Sequence, residues 1–473
     1  MTSPGATRRA LSPVLAALLT VTACAEPASD AEAASDAETP PAAADVAFVG
    51  VNVVPMSSEE VLENRTVLVE DGRISWIGAA DAAVPEGAQA IDAAGLYLMP
   101  GLAEMHAHVP PQAGQEAFTD QILFLFLANG VTTIRGMLGA PHHLALRDEL
   151  NSGRKLGPRL VTTGPSLNGN SVPTPQAARE AVEAQAAAGY DLLKIHPGIG
   201  AEAFDTLAAT AERVGIRFAG HVPEEVGVRR FIELGGSTID HLDGYVDALL
   251  SEDAPAPAFF GVNTMDHVDE AGLDELVRLT AEAGVAQVPT QSLFEDLLLD
   301  GDVDGLYARD DVRYMVPAVR EGWGDAVASI RGDVPREDLE RFIDLRRRLI
   351  RALHDAGVPI LLGSDAPQIF NVPGFSMHEE LDALVASGLT PYEALRTGTV
   401  NIARHLGAED RGTVAEGQAA DLILLRGNPL ESVANVRDVA GVMIQGHWLG
   451  AAEIEAGLAD IAEANRSSAP EAP

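Results

Sequence analysis

What this chain has little of narrows its reading first. It holds a single cysteine, Cys24, so no disulfide can form within it. Positive charge is scarce: 32 Lys and Arg stand against 70 Asp and Glu, a formal net charge of −38. That balance argues against nucleic-acid binding, which needs a basic surface. It gives instead an acidic, self-repelling, soluble surface of the kind a salty habitat favours. The apolar run near the N-terminus, Leu11 to Val21, is well short of the ~20 residues that span a bilayer. The rest is ordinary for a globular chain, 47% hydrophobic and 22% charged. At 473 residues it is too long for one small core, and two domains are expected, one of them large.

The N-terminus reads as an address. Arg8 and Arg9 precede the apolar run, and Val21-Thr22-Ala23-Cys24 follows it. A basic start, a short apolar stretch and small residues before a cut form a secretory signal. With cysteine first in the mature chain, the pattern resembles the lipobox of bacterial lipoproteins. That resemblance implies a signal peptide over 1–24, lipidation of Cys24, and a membrane-anchored protein facing the periplasm or cell surface. Several acyl chains give stable anchoring. A plain secretion signal with an incidental cysteine is the alternative. Residues 25–45, rich in Ala, Glu, Asp, Ser and Pro, read as a flexible acidic tether.

Both ends of the remaining chain read as β and its middle as alternating β and α. Ala47 to Val54, Thr66 to Val69 and Ile74 to Ile77 are short strands, the last two joined through Asp71-Gly72, a hairpin signal. Asp421 to Leu425 and Val439 to Ile444 match them at the far end. Between lie helices at Ile122–Asn129, Pro175–Ala188 (capped by Thr174), Glu202–Arg213, Glu225–Leu234, Leu273–Ala283 and Arg336–Asp355. Two more follow at Met377 and at Thr390, the latter with a capping box to Glu393. Eight strands start near residues 101, 131, 159, 190, 216, 237, 285 and 358, which implies a closed (β/α)8 barrel. The expected fold is α/β: a TIM barrel over 100–411, a small β-sandwich from 46–99 and 412–455, and a flexible tail over 456–473. The connection from Thr290 to Pro359 is a candidate lid, with Tyr314 and Trp323 available to a substrate; an ordinary outer helix layer is the other reading.

The chemistry concentrates at strand ends. In Leu98-Met99-Pro100-Gly101-Leu102-Ala103-Glu104-Met105-His106-Ala107-His108, two histidines sit at i and i+2 of a strand, on one face, where both can ligate a metal. Lys194, His221, His241 and Asp365 fall at or near the ends of strands four, five, six and eight. Barrel active sites form at that face, so these side chains can converge. Lys194, inside Leu192-Leu193-Lys194-Ile195, would bury a bare ammonium. Either it snorkels to the mouth, or carbon dioxide carbamylates it into an anion that can bridge two metals. Arg135, His196, Tyr245 and His378 lie near strand ends or the following loops and are candidates to bind a substrate carboxylate or carbonyl.

Together Met99-Pro100-Gly101-Leu102 to His108, Lys194-Ile195, Gly220-His221-Val222-Pro223, Ile239-Asp240-His241-Leu242, Leu362-Gly363-Ser364-Asp365 and the segment from Gly412 to Leu422 resemble the amidohydrolase superfamily. The resemblance covers about residues 46 to 455 and points to its imidazolonepropionase-like and Xaa-Pro dipeptidase-like branches. It implies a barrel with a β-sandwich. His106, His108 and Asp365 would hold one metal and His221 and His241 another, with zinc suited to both. Carbamylated Lys194 and a hydroxide would bridge the pair, the hydroxide attacking the carbonyl while Asp365 serves as general base and then acid. The expected substrate is a small molecule: a dipeptide, an N-acyl amino acid or a cyclic amide. A mononuclear deaminase using Glu224, three residues after His221, is the rival enzyme, and a non-catalytic surface binding protein the rival outside enzymology. Homo-oligomerisation is left open.

Overall fold

The computed structural model describes residues 40–299, 302–332 and 334–467. The expected signal peptide over 1–24 with Cys24, the expected tether up to residue 39, and residues 468–473 lie outside the described residues.

Among the described residues, fifteen strands run in chain order as β1 Val46–Val53, β2 Leu62–Glu70, β3 Arg73–Ala79, β4 Gln89–Asp92, β5 Tyr97–Pro100, β6 Leu102–Ala107, β7 Val131–Gly136, β8 Arg159–Thr162, β9 Leu192–Ile195, β10 Arg217–Gly220, β11 Thr238–Asp240, β12 Ala286–Val288, β13 Leu422–Leu425, β14 Val439–Ile444 and β15 His447–Gly450. The two chain ends build one sheet in the order β15-β14-β13-β5-β1-β2-β3, with β4 beside β1. The hairpins β2–β3 and β14–β15 turn on Asp71-Gly72 and Gln445-Gly446, all four with positive φ, as a two-residue turn matched to strand twist requires. Flat, β1 and β15 would stand four strand spacings apart, roughly 19 Å. Yet Phe48 of β1 meets Trp448 of β15 edge-on at 5.2 Å. The opposite edge also curls in: Ile74 of β3 donates to the carbonyl of Gln418 at 2.9 Å, just before β13. So the expected two-layered sandwich is a single sheet rolled over its own core, which Val46, Phe48, Val51, Val67, Leu422 and Leu424 fill.

The middle of the chain is parallel. β6-β7-β8 form one sheet and β9-β10-β11-β12 another. Thr163, just past β8, bridges in parallel to Leu192, and Gln287 of β12 bridges to Ile360. Met105 of β6 donates to the carbonyl of Leu362 at 2.9 Å. These sheets and links are consistent with a TIM-barrel-like domain. The eighth expected strand, Val358 to Ser364, is the weakest: it keeps a single bridge at Ile360. Its backbone donors are diverted, Leu362 N–H to the carbonyl of Thr397 and Ser364 N–H to the carboxylate of Glu104.

Helices cover the sheets where the caps placed them. Thr174 accepts from Ala177 N–H at the head of Pro175–Ala188, and Gly189 ends it in the left-handed region. Thr390 and Glu393 form the reciprocal capping box. Two expectations are corrected. Residues 456–467 are no flexible tail but part of the helix Ala451–Ser467. Ile454, Leu458 and Ile461 make an apolar stripe at helical spacing, and Ile454, Ile461 and Asn465 are buried, Asn465 donating to the carbonyl of Tyr314 at 2.6 Å. Tyr314 and Trp323 are unavailable to a substrate: they are buried, stacked on Phe375 and packed on Phe370 respectively. Among the described residues, no helix is long and apolar enough to cross a membrane.

Candidate metal centre

Six side chains gather where the parallel strands end. His106 lies on β6 and His108 one residue past it; Lys194 is on β9; His221 and His241 each follow the last residue of β10 and β11; Asp365 follows the extended segment after β12. The alternation of the strand brings His106 and His108 together, ring centroids 5.5 Å apart. His106 and His241 stand 4.6 Å apart, and His241 and His221 4.7 Å. Asp365 reaches three rings, 2.6 Å from His108 Nε2, 3.5 Å from His106 Nε2 and 4.0 Å from His241 Nε2. Lys194 Nζ is 3.2 Å from His106 Nε2. His106, His241 and Asp365 alone could place three ligand atoms around one ion.

The outward nitrogens decide what the inward ones can do. His106 Nδ1 lies 2.9 Å from Asp240 Oδ2. His221 Nδ1 lies 3.0 Å from Asp243 Oδ2. His241 Nδ1 lies 2.9 Å from Thr290 Oγ1, whose own hydrogen goes to the carbonyl of Pro289 at 2.7 Å. For His221 and His241 the partner is an acceptor, so Nδ1 carries the proton and Nε2 keeps a lone pair turned to the centre. His106 Nδ1 has no hydrogen bond despite its nearness to Asp240, and its tautomer is set from the other side, where Lys194 Nζ can donate to Nε2. Three neutral imidazoles, a carboxylate and a lysine are a donor set that fits divalent metal.

Burial keeps the set neutral where it must be. His106 is held well below the usual histidine range by burial and then by Lys194; His241 likewise by burial and then by His106 and His221. Burial brings Lys194 down to about 8, against the pull of Asp240 and Asp365. For Asp240, burial pushes upward, but Arg135 and Lys194 outweigh it and hold the carboxyl below its ordinary range. Backbone strain collects here too: His241, Leu242, Thr290 and Asp365 all have positive φ between 49° and 69°. Such non-glycine conformations cluster at functional sites because the surroundings must enforce them.

The candidate substrate contacts divide. His196 stacks on His221 with centroids 5.1 Å apart and belongs to the cluster; burial, then Lys194, brings it down to about 3. The other three are spent within the fold. Arg135 is buried, donating to Met105 O at 2.6 Å, to Thr238 and to Asp240. Tyr245 is buried on Thr280 Oγ1 at 2.7 Å, and His378 is buried with Nε2 3.2 Å from Asn129 O. None can present a free donor to a ligand. Sequence reasoning missed Asp240, Asp243, Thr290 and Glu104. The signal for Asp240 and Glu104 was a carboxylate inside a short apolar strand, which demands a buried partner. Glu104 is fully buried and ties the two ligand-bearing segments together, accepting from His106 N–H at 2.7 Å, Ser364 N–H at 3.0 Å and Ser364 O–H at 2.7 Å. Lys194 carried a second signal. The chain has two lysines, Lys155 and Lys194, against thirty arginines.

The site opens on a cavity of about 280 Å³ lined by His221, Val222, Glu224, Asp243, Asp247, Phe259 and Phe260 among others. Metal-type donors on the ends of parallel strands, beside a sheet built from both chain ends, define a recognisable class of site. The chain belongs to the amidohydrolase family, whose profile matches residues 97–449. It is 27% identical over 407 residues to an imidazolonepropionase of Anaeromyxobacter sp. (strain K), covering 78% of this chain and 85% of that one. It is 27% identical over 394 residues to an adenine deaminase of Moorella thermoacetica, covering 81% of this chain and 54% of that one. A solved Xaa-Pro dipeptidase with methionine in its active site superposes with TM-score 0.64 at 20% identity, covering 86% of this chain and 99% of that one, a likeness of fold.

Proposed function

We propose that this protein is a metal-dependent hydrolase of C–N bonds in small amides, its ions held by His106, His108, Lys194, His221, His241 and Asp365. The observation that carries the reading is the convergence of His106, His241 and Asp365 on one point, beside His221, with the Nδ1 atoms of His221 and His241 already committed to Asp243 and Thr290. When bound, a pair of divalent ions, zinc among those the donors suit, would supply an acidified water as nucleophile and an electrophile for the amide carbonyl. Asp365, within reach of His108 and His241, accepts a proton from the attacking water and delivers it to the departing nitrogen. Lys194 joins the set as a carbamate. Its neutral amine adds to the carbon of carbon dioxide, a π pair moves to oxygen, the ammonium proton is lost, and a cation becomes an anion among cations. An amine brought down to about 8 by burial supports that step, because a sizeable fraction is neutral near neutral pH.

The two parallel sheets and the segment 358–366 are then one (β/α)8 barrel over 100–411, the mouth of which holds the centre. Glu224 on the cavity keeps the deaminase alternative open; Lys194 set against His106 favours two ions over one. The N-terminal pattern supports export and a lipid anchor at Cys24, and C24S should then lose both acyl label and membrane association. The function is tested by amide hydrolysis and metal analysis on zinc-loaded protein. Turnover with near two ions per chain, both lost in K194A, is expected. A K194A protein that keeps its ions and its rate overturns the bridging role, and one ion with deamination of aminopurines turns the reading to the deaminase.

A further inference from the structure

The mouth of the site has a one-signed electrostatic character that the donor set does not require. The cavity beside His221 is walled by Phe259 and Phe260, and its charged lining residues are Glu224, Asp243 and Asp247. Phe260 is held at φ 56° with its ring 5.8 Å from that of His241 and 6.1 Å from that of His221. An apolar surface is thus fixed against the donors by a backbone that only its surroundings stabilise. The segments that leave the strand ends, 108–115, 137–142, 163–174, 196–200, 221–226, 241–272 and 365–374, contain no Lys or Arg. The remaining connection, after β12, does contain arginines, but they are engaged elsewhere. Arg309 is shared by Asp296, Asp311 and Glu379. Arg346 is buried on the carbonyls of His241 and Pro289. Arg313 and Arg320 line a different cavity, against the C-terminal helix. Arg135, the guanidinium nearest the donors in sequence logic, lies buried on Asp240. Asp247 is raised, first by burial and then by Asp243 and Glu224.

We infer that the substrate carries a protonated amine or other cationic group beside an apolar portion, and that amides bearing a free carboxylate are selected against at this mouth. The inference rests on the hydrolase reading and sharpens it. A carboxylate entering the cavity would be desolvated against Glu224 and Asp247, with Asp243 already turned to His221, whereas an ammonium there finds Glu224 and Asp247 at the rim and Phe259 and Phe260 along its chain. The chain's overall charge of −38 steers in the same direction. N-acyl amino acids and simple dipeptides with a free C-terminus entering this side first are therefore poor substrates; aminoacyl amides and amides with basic side chains are good ones.

The test is a charge series on one skeleton, ε-aminocaproyl, caproyl and adipoyl anilide, with the zinc-loaded full chain. kcat/KM should fall from the cationic to the neutral to the anionic member, by roughly tenfold or more between the extremes at low salt, and the spread should shrink as salt is added. E224Q/D247N should compress the cationic-to-anionic ratio, and E224K should lower it further. In parallel, affinities of phenylpropylamine and phenylpropionate are measured by calorimetry, which needs no turnover. Equal rates across the series, or preference for the adipoyl member, overturns the inference while leaving amide hydrolysis standing. Failure to hydrolyse any amide tells against the hydrolase reading, and the amine-to-carboxylate affinity ratio then decides the charge inference alone.

Discussion

Two clusters of ionisable side chains lie in this molecule, and they are built on opposite plans. Around Arg309, three carboxylates share one guanidinium: Asp296 at 2.6 Å, Asp311 at 2.9 Å and Glu379 at 2.6 Å. Burial would lower that guanidinium, but Glu379 and Asp296 outweigh it and raise it. All three carboxylates converge on that one cation. Around Asp365, the protein has spent its carboxylates on the outer nitrogens of the histidines and left the inner ones facing one another. Lys194 Nζ lies 3.2 Å from one of these inner nitrogens, on His106, and Asp365 2.6 Å from another, on His108, a mixed donor set that a divalent ion could organise. The first cluster pairs charge with charge inside the chain; the second brings together donors that could hold an ion. Counting acidic or basic residues would not separate them. Asking where the remaining lone pairs point does.

That contrast can be broken or sharpened by experiment. The largest effect is expected at the second cluster: D365N, which keeps the backbone and the shape, should lower kcat roughly 10²–10⁴-fold with thermal stability little changed, read by steady-state kinetics and a melting curve. At the first cluster the signs reverse. R309M should cost about 2–4 kcal/mol of stability, because Asp296, Asp311 and the half-buried Glu379 lose the cation they share, yet leave the metal content per chain as it was; denaturant unfolding and metal analysis on the same sample check both halves. Equal loss of metal and stability in R309M would erase the distinction. Between them stand the residues that aim the rings: D243N or T290V should weaken metal binding roughly 10–100-fold in a chelator competition, with far less effect on unfolding. The smallest effect concerns Glu380, fully buried, whose carboxyl burial pushes up to about 7. The folded chain then keeps a proton that the unfolded chain releases near the ordinary value of 4.5. Stability from this group is full below that value and is lost as pH rises toward 7. E380Q should flatten the fall in melting temperature over that window without abolishing it, since burial shifts Glu104 and Glu379 the same way.

Much of the centre was legible because barrels deliver chemistry from strand ends, and strand ends can be found from sequence. His106 and His108 betray themselves by their spacing, and Gly220-His221 and Asp240-His241 by ending apolar runs. What was not legible depends on geometry across the chain. Nothing in the residues around Asp240 says that its oxygen faces a histidine 134 positions earlier, or that Arg135 sits behind it and not at the mouth. Tyr245 and His378 looked equally well placed, and only the packed structure sends them to Thr280 and Asn129. Residues 456–467 share the Ala and Glu richness of the tether, which hides a helix, although Ile454 and Ile461 carry the helical period.

One seam in the rolled sheet has a consequence for how the gene can fail. β5 is held on one side by β13, with Pro100 opposite Leu422 and Met99 opposite Ile423, and Arg159 at the head of β8 is anchored by Asp421 at 2.6 Å. The polypeptide that leads into His106 is thus fastened by residues synthesised more than three hundred positions later. A premature stop after position 420 would release a product in which every proposed metal donor had already been translated, and in which the first pair of them had lost its footing.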